Sequence, residues 1–447
     1  MRSFKEFIKL IRGDNTLWKE LFKNTQTTEI KLSEIGQMQE ALARELGILK
    51  LNQQNLISEL KSIHTISNSL PTMELDLYSD SIMEINKLAY PENSSTFLKK
   101  NIEFIIFNYQ WHIGRFGGYI NYGDYVQTII TKKSLLEIFP IRDCGKIKNK
   151  IEYTSLSNNC SCLSHKTFSF SSQDRDCLNF YSTQHSETSP IAIMQGWFAH
   201  TIYFLPNSSV IPTWIGTHFS CVMKKKIAQL LTLNPSYFRY PVGSRDISTL
   251  SFLKGMRVES YLSRCLTLLY DKRSEDESQK ANKIFFVDIP DSWIPFFPKN
   301  LTKNTRICSQ KWVYVGWEHW EDSIKRAESL IESYKKEARL VVTTALHCAT
   351  PCIAMGIPVV LIATDIPENT QRFSSLTGLL KIYSFEDLKT GKINFDLGRE
   401  SQDFESLKFA MKENLKLSIC QSMGLDVPKK ELAELRKYIE NFSLPLE

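Results

Sequence analysis

Histidine and arginine side chains at a few positions of this 447-residue sequence are suited to acid–base chemistry and to anion binding. His347 lies shortly after two threonines, Thr343 and Thr344, in the stretch LVVTTALHCATPCIAMGIPVVLI (residues 340–362). Its imidazole has the side-chain pKa that lies nearest to neutrality, so it can give or take a proton. The guanidinium of Arg245 can clamp a phosphate or a carboxylate through paired hydrogen bonds.

The elements around His347 form a predicted strand–helix–strand unit. The β-branched run at residues 340–343 is typical of a buried parallel strand. Thr343 and Thr344 are predicted to cap a helix that ends at Gly356, before a second apolar strand. Ligands of parallel sheets bind at the carboxyl ends of the strands, and a helix N-terminus there favours anions. The unit therefore predicts an anion-binding site beside a titratable imidazole.

Both residues also have a purely structural interpretation. His347 alone could be a half-buried histidine that bonds a neighbouring carbonyl. Arg245 could form an ion pair with Asp246 that only fixes the turn before a helix predicted for residues 247–254, which Asp246 is placed to cap. The residues by themselves leave these alternatives open.

A glycine-rich turn after the predicted strand at residues 104–109 contains Asn121, Gly123 and Asp124, before a helix predicted for residues 125–139. Such a turn, with an aspartate near a helix start, lets the backbone approach a ligand closely. It has neither the G-x-G-x-x-G dinucleotide fingerprint nor the Gly-Lys-Ser/Thr of a P-loop. The sequence therefore argues against NAD and ATP as substrates.

Later predicted strands bring further candidate residues. Trp197 follows a strand at residues 191–195, and His218 lies within a strand at residues 214–221. Another strand is predicted at residues 263–270.

Composition limits the classes of partner and compartment. With 42% hydrophobic and 23% charged residues, the chain has the make-up of a soluble globular protein. Its net charge of +6 suits an acidic small molecule or an anionic membrane surface better than nucleic acid. Ten cysteines in mostly apolar surroundings and the lack of a signal or spanning segment predict a cytoplasmic protein. Cys160, Cys162, His165 and Cys177 match no usual zinc spacing, so no metal is expected.

Residues 1–75 are predicted to form a helical extension. Residues 1–23 interleave lysines and arginines with helically spaced aromatic residues, a pattern that fits peripheral binding at the inner face of a membrane or packing on the chain's own domain. In residues 30–63 apolar residues recur every seventh position, as in a short coiled coil that joins copies of a chain. The two alternatives for residues 1–23 stay open.

Strands and helices alternate on both sides of the charged segment at residues 271–282, which is the predicted interdomain linker. This alternation predicts two doubly wound α/β domains facing a cleft. The predicted domains are residues 76–275 and 276–447, and the second is predicted to close with helices at residues 404–420 and 430–442.

Seven segments occur in the order NYGDYVQT (121–128), QGWF (195–198), GTHFS (216–220), PVGSRDISTLSFL (241–253), YLSRCLTLLY (261–270), TTALHCATPCIAMGIPVV (343–360) and RFSSLTGLL (372–380). Together they resemble the polysaccharide pyruvyl transferase family. The resemblance implies two Rossmann-like domains, as in GT-B glycosyltransferases. It also implies transfer of the enolpyruvyl group of phosphoenolpyruvate onto two hydroxyls of a sugar in surface-glycan biosynthesis, which gives a pyruvate ketal and phosphate. The implied co-substrate is phosphoenolpyruvate, without a metal or redox cofactor.

This chemistry suggests a role for each candidate residue. Arg245 and Arg372 would bind the phosphate and carboxylate of phosphoenolpyruvate. His347 would protonate the methylene carbon. His218 or Asp124 would accept the proton of the attacking hydroxyl of a glycan or lipid-linked sugar. The remaining substrate-binding candidates are Asn121, Gly123, Trp197 and Thr344.

Four positions depart from the family pattern. Ala345 stands where the pattern Thr-Ser/Thr-Arg-Leu-His has arginine, Gln195 where asparagine is common, Ser244 where cysteine is common and Arg264 where glycine is common. Loss of one phosphate-binding arginine would weaken anion binding by ~1.5–3 kcal/mol, unless Arg264 or Arg372 compensates.

Two other functions are compatible with the same sequence. A GT-B-like glycosyltransferase that uses a nucleotide sugar would need a carboxylate for the ribose, and Asp365 and Glu368 lie in no recognisable ribose motif. A non-catalytic, glycan-binding member of the family is favoured by Ala345. The glycosyltransferase therefore ranks second to the pyruvyl transferase.

Overall fold

The computed structural model describes residues 101–109, 119–139, 141–143, 150–153, 167–182, 187–302, 305–313, 319–364, 371–397 and 404–444. The helical extension predicted for residues 1–75, with its amphipathic helix and coiled coil, lies outside the described residues. Backbone contacts divide the chain into Met1–Ser79 and Asp80–Glu447. The domain boundary predicted near residue 275 stays a prediction.

The amino-terminal half of the described residues contains eleven strands and three α-helices. The strands are β1 (Asn101–Asn108), β2 (Tyr119–Asn121), β3 (Ile141–Asp143), β4 (Lys150–Tyr153), β5 (Thr167–Asp174), β6 (Thr188–Ile193), β7 (Gly196–Phe198), β8 (Ile211–Thr213), β9 (Thr217–Phe219), β10 (Val242–Ser244) and β11 (Ser260–Leu262). The helices are α1 (Tyr122–Ile138), α2 (Cys221–Leu233) and α3 (Ile247–Gly255). Short 3₁₀ helices cover Arg175–Phe180, Ile202–Phe204 and Leu266–Leu269.

These strands form two largely parallel sheets. The first has the order β3-β4-β5-β1-β6-β8, with β5, β1, β6 and β8 parallel and β4 and β3 antiparallel at one edge. The second has the order β11-β10-β9-β7, all parallel. The strand predicted at residues 191–195 ends at Ile193, and the strand predicted at residues 214–221 is limited to β9. In the second of these segments Gly216 has a φ of +67°, which favours glycine.

The carboxyl-terminal half contains the remaining elements. The strands are β12 (Lys283–Val287), β13 (Thr305–Cys308), β14 (Lys311–Val313), β15 (Ala338–Thr343), β16 (Val359–Ile362) and β17 (Ile382–Tyr383). The helices are α4 (Glu275–Lys280), α5 (Lys299–Thr302), α6 (Trp320–Glu337), α7 (Leu346–Ala354), α8 (Phe385–Lys389), α9 (Glu405–Ser422) and α10 (Lys429–Asn441), and 3₁₀ helices cover Asp291–Phe296 and Ser374–Leu376.

The third sheet is parallel throughout, with the order β13-β12-β15-β16-β17. Alternate side chains enter two different apolar clusters. Phe285 and Val341 face one cluster, while Phe286 and Val342 face the other. Both faces are therefore covered, as in doubly wound sheets, and the strand order reverses between β12 and β15. The predicted α/β class is confirmed.

The two halves are joined by a short antiparallel ribbon. Strand β2 precedes α1, and it pairs with β14 of the other half. Beside this ribbon the backbone N–H of Tyr122 donates to the carbonyl oxygen of Gln310 at 2.8 Å. The ribbon thereby brings the first turn of α1 to the carboxyl edge of the third sheet.

One sequence prediction in this region was wrong, and another segment is more structured than its sequence indicates. Residues 263–270 do not form a strand, because Arg264 has a φ of +61° that turns the chain after β11, and a 3₁₀ helix follows. The predicted linker at residues 271–282 contains α4, which a reciprocal pair of hydrogen bonds between Ser274 and Glu277 caps. Among the described residues, no helix is long and apolar enough to cross a bilayer.

Candidate functional site

His347 occupies the second position of α7, at the point where the strand order of the third sheet reverses. The N-cap is Ala345, and no side chain caps the helix, so the predicted threonine caps were wrong. Thr343 Oγ1 donates to the carbonyl of Val287 at 3.0 Å, and Thr344 Oγ1 donates to that of Asp288 at 2.7 Å. The threonines therefore tie β15 to β12 and leave the first turn of α7 without a side-chain cap.

Arg245, directly after β10, is completely buried. Its Nη1 lies 3.3 Å from Gln127 Oε1 and 3.3 Å from His347 Nε2. Its Nε and Nη2 atoms are buried and have no hydrogen-bond partner among the described residues. The alternative ion pair with Asp246 is not formed, since that carboxylate bonds His218 instead. A buried guanidinium with unused donors is suited to receive an anion.

His347 is in its neutral form in this arrangement. A guanidinium has only N–H donors, so the Nε2 atom that faces Arg245 must be the acceptor. Burial, followed by the charges of Arg245, Arg372 and His218, holds the pKa of His347 well below its ordinary value of 6.5. Gln310 Nε2 donates to the carbonyl oxygen of His347 at 3.2 Å and fixes its backbone.

His218, in β9, is paired with the buried carboxylate of Asp246. Its Nδ1 lies 2.5 Å from Asp246 Oδ2, while its Nε2 is buried without a partner among the described residues. Burial lowers the pKa of His218 to about 4, aided by the charges of Arg245 and Arg372 and opposed by Asp246. The imidazole is therefore neutral near neutral pH, as a proton acceptor must be.

The start of α1 closes against His347. Asn121 is the N-cap of α1, and its side chain accepts a hydrogen bond from the N–H of Gly123. A Cβ atom on Gly123 would lie 3.0 Å from the Cβ of His347 and 3.2 Å from Gln310 Oε1. Glycine at this position thus permits the close approach of α1 and α7.

Asp124 reaches the site through a neighbour. Its Oδ1 accepts a hydrogen bond from Gln127 Nε2 at 3.2 Å, and Gln127 Oε1 in turn faces Arg245. Its charge also contributes to the raised pKa values of Tyr109 and Arg175. The role of Asp124 as a proton acceptor stays a prediction.

Arg372 and Trp197 lie together, with the guanidinium 5.1 Å from the centroid of the indole ring. Arg372 belongs to a helical turn at residues 371–373 rather than to the predicted loop. The N–H of Ile247, at the start of α3, donates to Ser374 Oγ at 2.9 Å and holds this turn in place. Trp197 Nε1 is buried without a hydrogen-bond partner among the described residues.

Arg264 does not replace the missing arginine at position 345. All three of its guanidinium nitrogens donate to backbone carbonyls, namely those of Ile439, Ser375, Thr377 and Phe442. The side chain is 1% exposed and lies in the seam between β11, α10 and the 3₁₀ helix Ser374–Leu376. All of its guanidinium nitrogens donate to backbone carbonyls, so none is available to bind an anion. The expectation that Arg264 compensates for the missing arginine was therefore wrong.

The structure therefore gathers His218, Arg245, His347 and Arg372 within electrostatic reach of one another. Gln127, Gln310 and the bond between Asp246 and His218 were not anticipated. Gln310 follows β13, so the rule that ligands bind at the carboxyl ends of parallel strands could have identified it. The position of Gln127 and the bond between Asp246 and His218 depend on contacts between distant segments. Of the four cysteine and histidine residues weighed for zinc, only Cys177 is described, and no group of three metal ligands occurs among the described residues.

Comparison with known proteins gives one informative match. A sequence profile described as polysaccharide pyruvyl transferase matches residues 121–366, which is more than half of the 447 residues. The solved structure of an uncharacterized protein from Klebsiella pneumoniae is similar at 14% sequence identity, with a TM-score of 0.31, and the similarity covers 68% of this chain and 94% of that chain. No curated protein matches the sequence at a significant level.

Proposed function

The chain belongs to the polysaccharide pyruvyl transferase family, and we propose that it transfers the enolpyruvyl group of phosphoenolpyruvate to two hydroxyls of a sugar, releasing phosphate and forming a pyruvate ketal. The acceptor is a glycan or a lipid-linked sugar of a surface polysaccharide, and the reaction takes place in the cytoplasm or at the inner face of the membrane. Family membership supports a transferase, and the site geometry supports the finer assignment.

The observation that carries the proposal is the guanidinium of Arg245, of which only Nη1 has a hydrogen-bond partner among the described residues. It is buried, two of its nitrogens have no partner among the described residues, and it contacts an imidazole. Burying a charge without a counter-ion costs several kcal/mol, so such an arrangement is maintained where a ligand supplies the opposite charge. Phosphoenolpyruvate carries both a phosphate and a carboxylate, which Arg245 and Arg372 can share.

Binding of this donor changes the state of His347. In this structure, Arg245 donates to Nε2 and the imidazole is neutral. An anion that engages Arg245 draws the guanidinium away from Nε2 and places negative charge beside the ring. Both changes raise the pKa of His347, so the imidazole acquires a proton only when the donor is present. The resulting imidazolium protonates the methylene carbon and leaves an oxocarbenium ion at the adjacent carbon.

The acceptor sugar then attacks this carbon. One hydroxyl forms the first C–O bond and gives its proton to Nε2 of His218, which has no other partner among the described residues. The C–O bond to phosphate breaks and the phosphate leaves with the electron pair. The second hydroxyl then forms the second C–O bond and gives its proton to His347, which had lost its own proton to the methylene carbon. The products are a ketal and inorganic phosphate, and no oxidant or reductant is consumed. Trp197, whose Nε1 likewise has no hydrogen-bond partner in the described part of the chain, would contact the sugar.

Thermal unfolding of the purified chain tests the donor assignment. Phosphoenolpyruvate is expected to raise the melting temperature, because a ligand that binds only the folded state stabilises it. Incubation with candidate acceptor sugars should then release phosphate together with a ketal that is visible by NMR.

Two outcomes would favour the other functions. Stabilisation by a nucleotide sugar but not by phosphoenolpyruvate would indicate a glycosyltransferase. Stabilisation by glycans alone, without release of phosphate, would indicate a non-catalytic glycan-binding protein, the function that Ala345 in place of arginine favours.

A further inference from the structure

We infer that Asp246 is a positioning residue that keeps the proton of His218 on Nδ1, so that the lone pair of Nε2 faces the acceptor hydroxyl. This inference rests on the proposed function, since it assigns the residue that prepares the proposed base. It adds a role for Asp246 beyond that of capping α3.

The first support is the contact itself. Asp246 Oδ2 lies 2.5 Å from His218 Nδ1, and both side chains are almost completely buried. Burial alone would raise the pKa of Asp246, but the hydrogen bond with His218 and the nearby charge of Arg245 hold it below its ordinary value. The carboxylate is therefore ionised and can only accept a hydrogen bond. His218 must donate from Nδ1, which leaves Nε2 unprotonated in the neutral ring.

The second support is that the remaining hydrogen bonds of the Asp246 carboxylate fix its orientation. Asp246 Oδ1 accepts from the N–H of Thr249 at 2.9 Å, which is the capping bond of α3. Thr249 Oγ1 lies 3.3 Å from His218 Nδ1 and 3.4 Å from Asp246 Oδ2. The Thr249 hydroxyl and the first turn of α3 therefore hold the Asp246 carboxylate in one orientation. Through its hydrogen bond to Nδ1, the carboxylate in turn orients the imidazole of His218.

The third support is the state of the opposite nitrogen. Nε2 of His218 is buried and has no partner among the described residues. A histidine that served only to stabilise the fold would be expected to have both ring nitrogens satisfied, because an unpaired buried polar atom costs stability. The electrostatic influence of Arg245 and Arg372 on His218 places the ring beside the proposed donor site.

The test uses Asp246→Asn in the full chain. Asparagine is as good an N-cap as aspartate, so α3 should remain folded. Its amide can present a donor to Nδ1 and so favour the opposite tautomer, with the proton on Nε2. We expect kcat to fall about 10²–10⁴-fold, the range of general base catalysis, while the KM for phosphoenolpyruvate changes little.

A spectroscopic readout separates positioning from mere stability. In ¹⁵N-histidine NMR, the His218 signals, identified by their loss in His218→Gln, should show the Nδ1–H tautomer in the wild type and a shift away from it in Asp246→Asn. Ser220→Ala is the matched control, because Ser220 caps α2 directly after β9 without bonding His218. It should lower stability by the amount of a lost cap and leave the tautomer unchanged.

An unchanged His218 tautomer in a folded Asp246→Asn protein would overturn the inference, as would an unchanged kcat. If the wild type itself makes no ketal, the proposed function fails, and the NMR comparison alone then decides whether Asp246 sets the tautomer. If Asp246→Asn and Ser220→Ala had the same effects on kcat, on stability and on the His218 tautomer, Asp246 would be no more than a helix cap.

Discussion

Arg245 and Arg264 are both buried arginines, yet their hydrogen bonding is opposite. Arg264 donates from all three guanidinium nitrogens to four backbone carbonyls at distances of 2.8–3.2 Å. Arg245 uses only Nη1, which faces one amide oxygen and one imidazole, and its other two nitrogens are unpaired among the described residues. Burial is therefore shared by the two residues, and the difference lies in how many of their donors the fold itself satisfies.

This difference separates a structural arginine from a ligand-binding one. The carbonyls around Arg264 replace the water that the guanidinium gives up. Arg264 thereby ties the turn after β11 to the end of α10 and to the 3₁₀ helix Ser374–Leu376. Arg245 also loses its hydrating water on burial, but the fold replaces fewer of the lost hydrogen bonds. A ligand with negative charge can make up the deficit, which is why the region around Arg245 is the candidate site although both arginines are inaccessible to solvent.

The largest effect is expected from the imidazole next to Arg245. His347→Ala should lower the rate of ketal formation about 10²–10⁴-fold, because it removes the proposed general acid. Binding of phosphoenolpyruvate should be nearly retained. Turnover and melting temperature measured on the same preparation separate this result from unfolding. A folded His347→Ala enzyme that turns over at close to the parent rate would end the assignment of this residue.

The two arginines themselves provide a matched pair of substitutions. Arg264→Met should destabilise the protein by about 4 kcal/mol, at about 1 kcal/mol for each of four lost hydrogen bonds. Arg245→Met should leave the stability nearly unchanged, because it removes only the two contacts of Nη1 together with two buried donors that have no partner among the described residues. Denaturant unfolding of both variants measures the difference. Equal destabilisation by the two substitutions would abolish the distinction between them.

Arg372→Ala should affect binding of the donor more than its conversion. A cation that holds the donor equally in the ground state and the transition state contributes to affinity, and a charged hydrogen bond is worth about 1.5–3 kcal/mol. The apparent KM for phosphoenolpyruvate should therefore rise about 10- to 150-fold with kcat nearly unchanged. A large fall in kcat at saturating donor would instead place Arg372 in the chemical step.

Acid should destabilise the region around Arg245 through its histidines. The folded-state pKa of His218 is about 4, below the ordinary 6.5, so the unfolded chain binds more protons between these values. The contribution of neutral His218 to the free energy of unfolding is fully present above pH 6.5 and is lost as the pH falls toward 4. The loss amounts to about 2 kcal/mol by pH 5. Unfolding free energies of the wild type and His218→Gln across this window test this effect. A slope that is identical in the two proteins would contradict it.

Sequence patterns were sufficient for the strand–helix–strand unit around His347 and for the α/β class. The apolar runs of β15 and β16 and the position of Gly356 locate His347 at the carboxyl edge of a parallel sheet, as the structure shows. The Asp246 cap of α3 was likewise predicted correctly.

Contacts between distant segments could not be read from these patterns. The orientation of Gln127 toward Arg245 depends on how α1 packs, and that of Gln310 depends on the ribbon between β2 and β14. The hydroxyls of Thr343 and Thr344 donate to the carbonyls of Val287 and Asp288 at the end of β12, and Thr343 Oγ1 accepts from the N–H of Ala345 rather than from the first turn of α7. Local sequence preferences do not predict these partners. The turn at Arg264 requires a positive φ, which its residue type disfavours and the surrounding hydrogen bonds impose.

Calorimetric titration of phosphoenolpyruvate into the wild type and Arg245→Met tests the central claim most directly. If Arg245 is the buried cation that receives the donor, its replacement should raise the Kd about 10- to 150-fold without lowering stability. Arg306→Met serves as the control, since Arg306 is an exposed arginine that pairs with Glu337, and its Kd should equal that of the wild type. Wild-type affinity for phosphoenolpyruvate in a folded Arg245→Met protein would contradict the account.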